Sequence, residues 1–490
     1  MSSKVGVIGS GFAGLSAAAY LAKNGCDVSV FEKNEDIGGR ARNFQSNGFV
    51  FDMGPSWYWM PDVFERFFNN FGYQSSDFYE LKKLDPNFKI IFSDQEMSIP
   101  ANWDELIVLF ENTEKGAGDQ LVKFMKEAKF KYDTSMSSLI YQPANSILEF
   151  IKPKLMLDSL KLQLFSNFRK HVRGYFRDPK LISIMEFPIL FLGAMPKDTP
   201  ALYSLMNYSG LKQGTFYPMG GFAKVQEAIA KVAKEHGVDF RTSDAVKEIE
   251  VTNDKVNAIH SVSGKFNLDA VIGAADYQHI ESKLLPAQYK NYSEGYWDKK
   301  TFAPSCLLFY IGVDQKVPHL DHHNLFFDED YEVHGKEIYE DKQWPTQPLF
   351  YVCAPSKTDP FVAPKGKENL FILMPIAPGV EDTKDLRAEY YSLLMSRLSK
   401  YIKFNIEDHV ITKRSYCIND FEYDYNAYKG NAYGLANTLM QTAHLKPKIR
   451  NKKISNLFYA GQLTVPGPGV PPSIISGEIA ANQLVKSFKK

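Results

Sequence analysis

The chain has 490 residues, 44% of them hydrophobic, which is enough for two domains with cores of their own. Lysine plus arginine and aspartate plus glutamate both number 57, so no global field draws the protein to nucleic acid, and any basic surface must be local. The composition excludes a disordered or fibrous chain, and four scattered cysteines, Cys26, Cys306, Cys353 and Cys417, argue against a secreted disulfide scaffold and for reduced thiols.

The first strand is expected at 5–8, an apolar run that leads straight into Gly9-Ser10-Gly11-Phe12-Ala13-Gly14. A helical pattern follows, then a second apolar run at 28–31 that ends on Glu32-Lys33. Strand, glycine turn, helix, strand and carboxylate in this order predict a nucleotide-binding βαβ unit. Gly9 makes the tight turn, Gly11 lets a pyrophosphate reach the backbone, and Gly14 lets helix and strand pack closely. The phosphate charge belongs at the helix N-terminus, and Glu32 is placed to accept from ribose hydroxyls. Gly38-Gly39-Arg40 then offers backbone N–H groups and a guanidinium to the far side of the pyrophosphate. This second glycine tract favours FAD over NAD, as does the presence of one well-formed dinucleotide fingerprint only.

The strand beginning at Lys4 leaves no room for a signal peptide, so a cytoplasmic protein is expected. The greasiest stretch, 181–195, is interrupted by Ser183, Glu186 and Pro188 and falls short of a membrane span. Before it, 151–180 carries Lys152, Lys154, Lys161, Arg169, Lys170, Arg173, Arg177 and Lys180 against Asp158 and Asp178, with Leu157, Leu160, Leu164, Phe168, Val172 and Tyr175 at helical spacing. That pattern predicts a basic amphipathic helix, either packed with a solvated face or lying on an anionic membrane.

A glycine-rich turn at 214–221 introduces a helix at 225–236, stopped by Gly237, and strands at 245–251, 255–262 and 270–273 with a turn at Asn253-Asp254. His322 and His323, near Asp321, Asp328, Glu329 and Asp330, have the composition of a metal site. Adjacent residues of a strand point to opposite faces, however, so no metal centre is expected. At the C-terminus a strand at 457–460 meets the loop Gly461 to Pro472 and a helix from about Ser473. Its N-terminus suits the anionic edge of a reduced flavin.

The expected fold class is therefore α/β, a Rossmann-like FAD-binding domain with an inserted α+β domain for substrate and membrane docking. Residues 1–100, 214–290 and 446–490 are assigned to the first, and 101–213 and 291–445 to the second. No Ser-His-Asp arrangement or nucleophile elbow supports hydrolysis.

Over nearly its full length the chain resembles the bacterial-type phytoene desaturases, within the wider FAD-dependent amine-oxidase-like flavoproteins. The resemblance is carried by Gly38-Gly39-Arg40-Ala41, Phe51-Asp52-Met53-Gly54-Pro55-Ser56-Trp57-Tyr58-Trp59-Met60-Pro61, Tyr217-Pro218-Met219-Gly220-Gly221, His322-His323, Pro355-Ser356-Lys357-Thr358-Asp359-Pro360, and Pro466-Gly467-Pro468-Gly469-Val470-Pro471. Pro468, where a second glycine is common, and Gln462, in place of a small residue, depart from the family pattern. The resemblance implies FAD held by Gly9, Gly11, Phe12, Ala13, Gly14, Glu32, Lys33, Gly38, Gly39, Arg40, Gly54, Pro55, Ser56, Val246, Gly461, Gly469, Val470 and Pro471. Val246 would meet the adenine, and the last four would flank the flavin or its approach.

It further implies stepwise desaturation of phytoene towards lycopene by hydride transfer to flavin, with quinone or oxygen as the electron acceptor. The substrate would be a carotenoid drawn from the bilayer by a protein held peripherally at the cytoplasmic membrane. A hydroxycarotenoid 3,4-desaturase and a carotene cis-trans isomerase are the alternatives. The proton acceptor and the oligomeric state stay open, and Trp57, Tyr58, Trp59 and Phe64 are candidates for a substrate tunnel or for ordinary core.

Overall fold

A computed structural model describes residues 2–144, 146, 162–164 and 166–489, the side chains of 190–192 excepted. A five-stranded, fully parallel sheet has the spatial order Leu457–Tyr459, Ala270–Gly273, Lys4–Ile8, Asp27–Phe31, Asp239–Arg241. Its central strands are buried from Val5 to Ile8 and throughout Ala270–Gly273, as expected of a parallel sheet covered on both faces. The helix Phe12–Lys23 is buried from Phe12 to Leu21, apolar all round rather than striped. It is sandwiched: Phe222–Glu235 packs on it, and so does the C-terminal helix Val470–Phe488. Here Gly477 permits the approach, since a Cβ at that position would stand 2.3 Å from the Ala13 carbonyl oxygen.

The second sheet has seven strands in the order Val410–Tyr416, Ser305–Val313, Glu368–Ile376, Phe350–Cys353, His323–Phe327, Phe88–Phe92, Glu96–Ile99. Neighbours are antiparallel except His323–Phe327 with Phe88–Phe92. Strand alternation divides the work of Ser305–Val313, every residue of which is buried. Leu307, Phe309, Ile311 and Val313 pack into a core with the helix Lys384–Ile402. Cys306, Leu308 and Tyr310 face the other way, into the core shared with the first sheet.

The meander Val246–Thr252, Lys255–Ser261, Lys265–Asn267 turns at Asn253 and Asp254, both at positive φ, which is the two-residue hairpin geometry those side chains tolerate. Two expectations differ from the structure. The strands at 88–99, assigned with the nucleotide-binding segments, pair instead into the second sheet, because Phe88–Phe92 lies in register beside His323–Phe327. Of the basic stretch, 151–161 lies outside the described residues. The rest is not one helix: Phe168–Val172 ends before Gly174, and Pro179–Glu186 restarts with Asp178 as its cap. Phe168 and Val172 are core, while Arg169, Arg173 and Lys180 pair with Glu332, Glu186 and Asp94.

The C-terminal strand is tied down by Glu281, which accepts from the Asn291 and Tyr292 amides and from the Tyr459 hydroxyl. Burial pushes this carboxyl up to about 7. A carboxyl raised in the native state holds its proton there to higher pH than in the unfolded chain, so its stabilising contribution is full below the ordinary glutamate value and is lost as pH rises through about 7. Glu281→Gln is expected to flatten the dependence of Tm on pH between about 5 and 8, each pKa unit being about 1.4 kcal/mol. An unchanged slope would refute this. Gly477→Ala, forced against Ala13, is expected to destabilise by about 1–3 kcal/mol in urea unfolding.

Candidate active site

A cavity of about 440 Å³ is walled by residues of both sheets. The turn after the first strand builds one side. Gly9, at φ +99°, has no room for a Cβ, which would come within 3.0 Å of the Ala275 amide. Gly14 does not line the cavity; a Cβ there would meet the Gly9 carbonyl oxygen at 1.9 Å, so its work is the helix–strand contact. Gly11 is the opposite case, with nothing within 4 Å of its Cβ position, an opening against the backbone. Gly39 closes in beside it, its own Cβ position 3.1 Å from the Gly11 Cα.

Two helix N-termini reach this opening. Gly11 caps the first helix and Gly469 the last, neither offering a side chain to the first-turn amides. Phe12, Ala13 and Val470 line the cavity, so unpaired N–H groups from both ends of the chain face it. Pro471 and Pro472 carry no N–H, which leaves the Val470 amide as the donor on that side. Such ends favour anions. Arg40 adds charge: one Nη donates to the Asn431 carbonyl at 3.2 Å, the guanidinium lies 4.9 Å from the Tyr425 ring centre, and Nε is buried without a partner.

Gly38, Gly54, Pro55, Ser56, Val246 and Gly461 also line the cavity. Gly54 is required by a close pass, its Cβ position 2.8 Å from the Arg40 carbonyl oxygen. Glu32 stands at the expected place, with its carboxylate already engaged. It accepts from the Ser10 amide and hydroxyl at 2.9 and 2.7 Å and from the Asn34 amide and side chain at 2.9 and 3.0 Å. A ribose hydroxyl therefore shares or replaces one of these donors. Lys33 lines the cavity while its ammonium turns to the Tyr423 carbonyl. An open cradle at Gly11, an orphaned guanidinium nitrogen and two uncapped helix ends fit a dinucleotide pyrophosphate.

Several wall residues carried no sequence signal. Asp276 follows the buried strand Ala270–Gly273 and is pushed up to about 6 by burial. Its place just beyond the C-terminal end of a parallel strand is the one cue that was available. Asp424, Tyr425 and Tyr433 arrive from almost 400 residues away.

The remaining wall is apolar and aromatic. Trp57 and Trp59 belong to it, whereas Tyr58 and Phe64 stack on each other in the core at 4.1 Å. Tyr331, Tyr339, Tyr351 and His334 are its polar members. His334 is committed: Nδ1 accepts from the Leu349 amide at 2.7 Å, so Nε2–H donates to the Pro375 carbonyl, and burial lowers its pKa to about 4.

The shared motifs hold this wall in place. Asp52 accepts from the Phe222 and Ala223 amides, fixing the start of the helix Phe222–Glu235, and Asp359 accepts from the Gly220 amide at 2.6 Å. His322 and His323 do not behave as alternating strand residues, because the strand begins at His323. Their rings lie 4.5 Å apart, and one donor atom from each falls within 4.8 Å of the Cys353 Sγ and of the other. The nearby acids are elsewhere: Asp321 pairs with Lys89, Asp328 with Arg397, and Asp330 caps a helix. Both Nε2 atoms are buried without a partner, a penalty of about 1–3 kcal/mol each.

Residues 12–485 match the family model described as flavin containing amine oxidoreductase. A carotenoid 3,4-desaturase of Haloarcula japonica is 40% identical over 488 residues, covering 99% of this chain and 98% of the relative. A zeta-carotene-forming phytoene desaturase of Myxococcus xanthus is 29% identical over 490 residues, covering 98% and 94%. Among solved structures, cyclohexylamine oxidase from Brevibacterium oxydans IH-35A superposes with a TM-score of 0.61 at 14% identity, covering 100% of each chain.

Because the Gly11 Cβ position is open, Gly11→Val is expected to fold normally and to occupy the cradle instead of distorting the turn. Purified variant should show a native circular dichroism spectrum and no flavin absorbance. Flavin retained at full stoichiometry would place the pyrophosphate elsewhere.

Proposed function

Since the chain belongs to the flavin-containing amine oxidoreductase family and its cofactor is FAD, we propose that it is a carotenoid 3,4-desaturase acting on a hydroxylated acyclic carotenoid. The observation that carries this reading is the 40% identity to the Haloarcula japonica 3,4-desaturase along essentially the whole of both chains, against 29% to the Myxococcus xanthus phytoene desaturase. Lycopene formation from phytoene, the expectation from the motifs, has the weaker support. The motif residues that suggested it line the cradle and brace the wall.

The geometry supplies what such a substrate needs. FAD, when bound, provides the two-electron acceptor for a C–H bond next to the polyene. The apolar wall orients the chain and keeps water out, and Trp57 presents a flat face to it. The carboxyl groups lining the cavity are Glu32, Asp276 and Asp424, and both nitrogens of His334 are occupied. The proton lost from the neighbouring carbon leaves to one of these carboxylates, a tyrosine hydroxyl or a water.

The second sheet, with 101–213 and 291–445, would form the substrate domain, and the protein would meet the bilayer peripherally and pass electrons to quinone or oxygen. Among the described residues no helix is long and apolar enough to cross a membrane. Leu439, Met440 and Leu445 are exposed on one loop, Met440 at 71%. Lys448, just beyond them, bonds the Ala144 carbonyl.

FAD-loaded protein is to be incubated with quinone and liposomes carrying either a 1-hydroxylated acyclic carotene or phytoene, followed by absorption and mass. The expected outcome is a red shift with loss of two hydrogens on the hydroxylated carotene, at least about tenfold faster than on phytoene. Preferential consumption of phytoene would restore the lycopene-forming reading. A changed spectrum at constant mass would instead identify an isomerase.

A further inference from the structure

We propose that His322, His323 and Cys353 bind one d¹⁰ metal ion, zinc in the simplest case, in a structural site behind the cavity wall. The inference stands apart from the desaturase reading and needs no substrate.

Three donors of two types are brought together beside the second sheet. His323 faces Cys353 directly across the antiparallel pair, and the Ala354 amide donates to the His322 carbonyl at 2.8 Å, which fixes the residue before the strand against the same neighbour. All three side chains are buried, with exposures of 5%, 0% and 3% for His322, His323 and Cys353. Nitrogen and sulfur in this ratio select zinc or another soft to borderline cation over magnesium or calcium.

The hydrogen bonds around the rings leave one nitrogen of each without a donor or acceptor among the described residues. His322 Nδ1 lies 2.8 Å from the Thr358 hydroxyl and His323 Nδ1 lies 2.6 Å from the Tyr351 hydroxyl. Tyr351 donates onward to Ser56 at 3.0 Å, so its oxygen is free to accept the His323 Nδ1–H. In that tautomer Nε2 carries a bare lone pair, and neither Nε2 has a donor among the described residues. A ligating imidazole requires this arrangement, with one nitrogen on the metal and the other donating to a fixed oxygen.

Space and charge agree. A tetrahedral zinc centre sets its donors about 3.3–3.6 Å apart, given metal–nitrogen and metal–sulfur distances of about 2.0 and 2.3 Å. The three donor atoms now lie within 4.8 Å of one another, so binding would draw them closer together. A second, small cavity of about 30 Å³ touches Cys353, Ser56, Tyr217 and Asp52, enough for about two waters on the sulfur side of the cluster. The charged groups that act on the cluster are Asp52, on the Cys353 side, and Lys82, which opposes a cation on the His322 side. The Trp57 ring lies flat on His323, 4.0 Å away at 8°, so the ion would fix the orientation of a wall residue of the main cavity.

Full-length, FAD-loaded protein is to be dialysed against zinc and then against metal-free buffer, with metal measured by mass spectrometry against flavin. The expected result is about one zinc per chain, falling to about a tenth or less in Cys353→Ser and His322→Gln while flavin content and circular dichroism are kept. Zinc below about a tenth per chain in the unaltered protein, or undiminished in folded variants, overturns the site. X-ray absorption at the zinc edge needs no variant: one sulfur at about 2.3 Å with two nitrogens at about 2.0 Å supports the site, and an all-oxygen shell refutes it.

Discussion

The structure depends on one packing constraint: the first and last helices must approach closely enough for both N-termini to open on the same space. Gly477 against Ala13 gives that approach, Gly14 against Gly9 seats the first helix on its strand, and neither position has room for a methyl group. Ser16 adds a 2.7 Å hydrogen bond to the Ile474 carbonyl, deep in the contact. An anion-binding site made from one helix end is worth little by itself. Made from two, with Arg40 between them, it becomes a cradle with a defined direction.

From that contact the rest follows outward. The parallel sheet presents the carboxyl ends of its strands, where Gly9 and Asp276 stand, and the second sheet closes over them with Cys306 and Leu308. The signature motifs turn out to be largely supports. Asp52 and Asp359 sit on amides at and before the start of the helix Phe222–Glu235, and Thr358 holds His322. Motif likeness pointed to a phytoene desaturase, whereas likeness along the full length is higher to a 3,4-desaturase, 40% against 29%.

Legibility in the sequence tracked the range of the interactions. The βαβ unit was readable because its determinants, from Val5 to Arg40, are neighbours in the chain and each follows from local geometry. The Asn253-Asp254 hairpin was readable for the same reason. Asp424, Tyr425 and Tyr433 were not, because their places are set by strands that pair across hundreds of residues. The basic stretch misled in a different way: its apolar spacing was real, but Gly174 and the Asp178 cap divide it, and Phe168 and Val172 face core. The histidine pair misled by one position, since alternation governs residues inside a strand and His322 is outside it.

The parallel sheet has a kinetic consequence. Its central strand, Lys4–Ile8, pairs with Asp27–Phe31 within one supersecondary unit, yet its other edge waits for Ala270–Gly273, and that strand in turn waits for Leu457–Tyr459. During synthesis the first strand therefore leaves the ribosome with an apolar edge and must carry it unpaired through most of translation. Contacts of such sequence separation slow folding and lengthen the time in which that edge is open to the wrong partner. That wait is set by the order of the strands in the sheet.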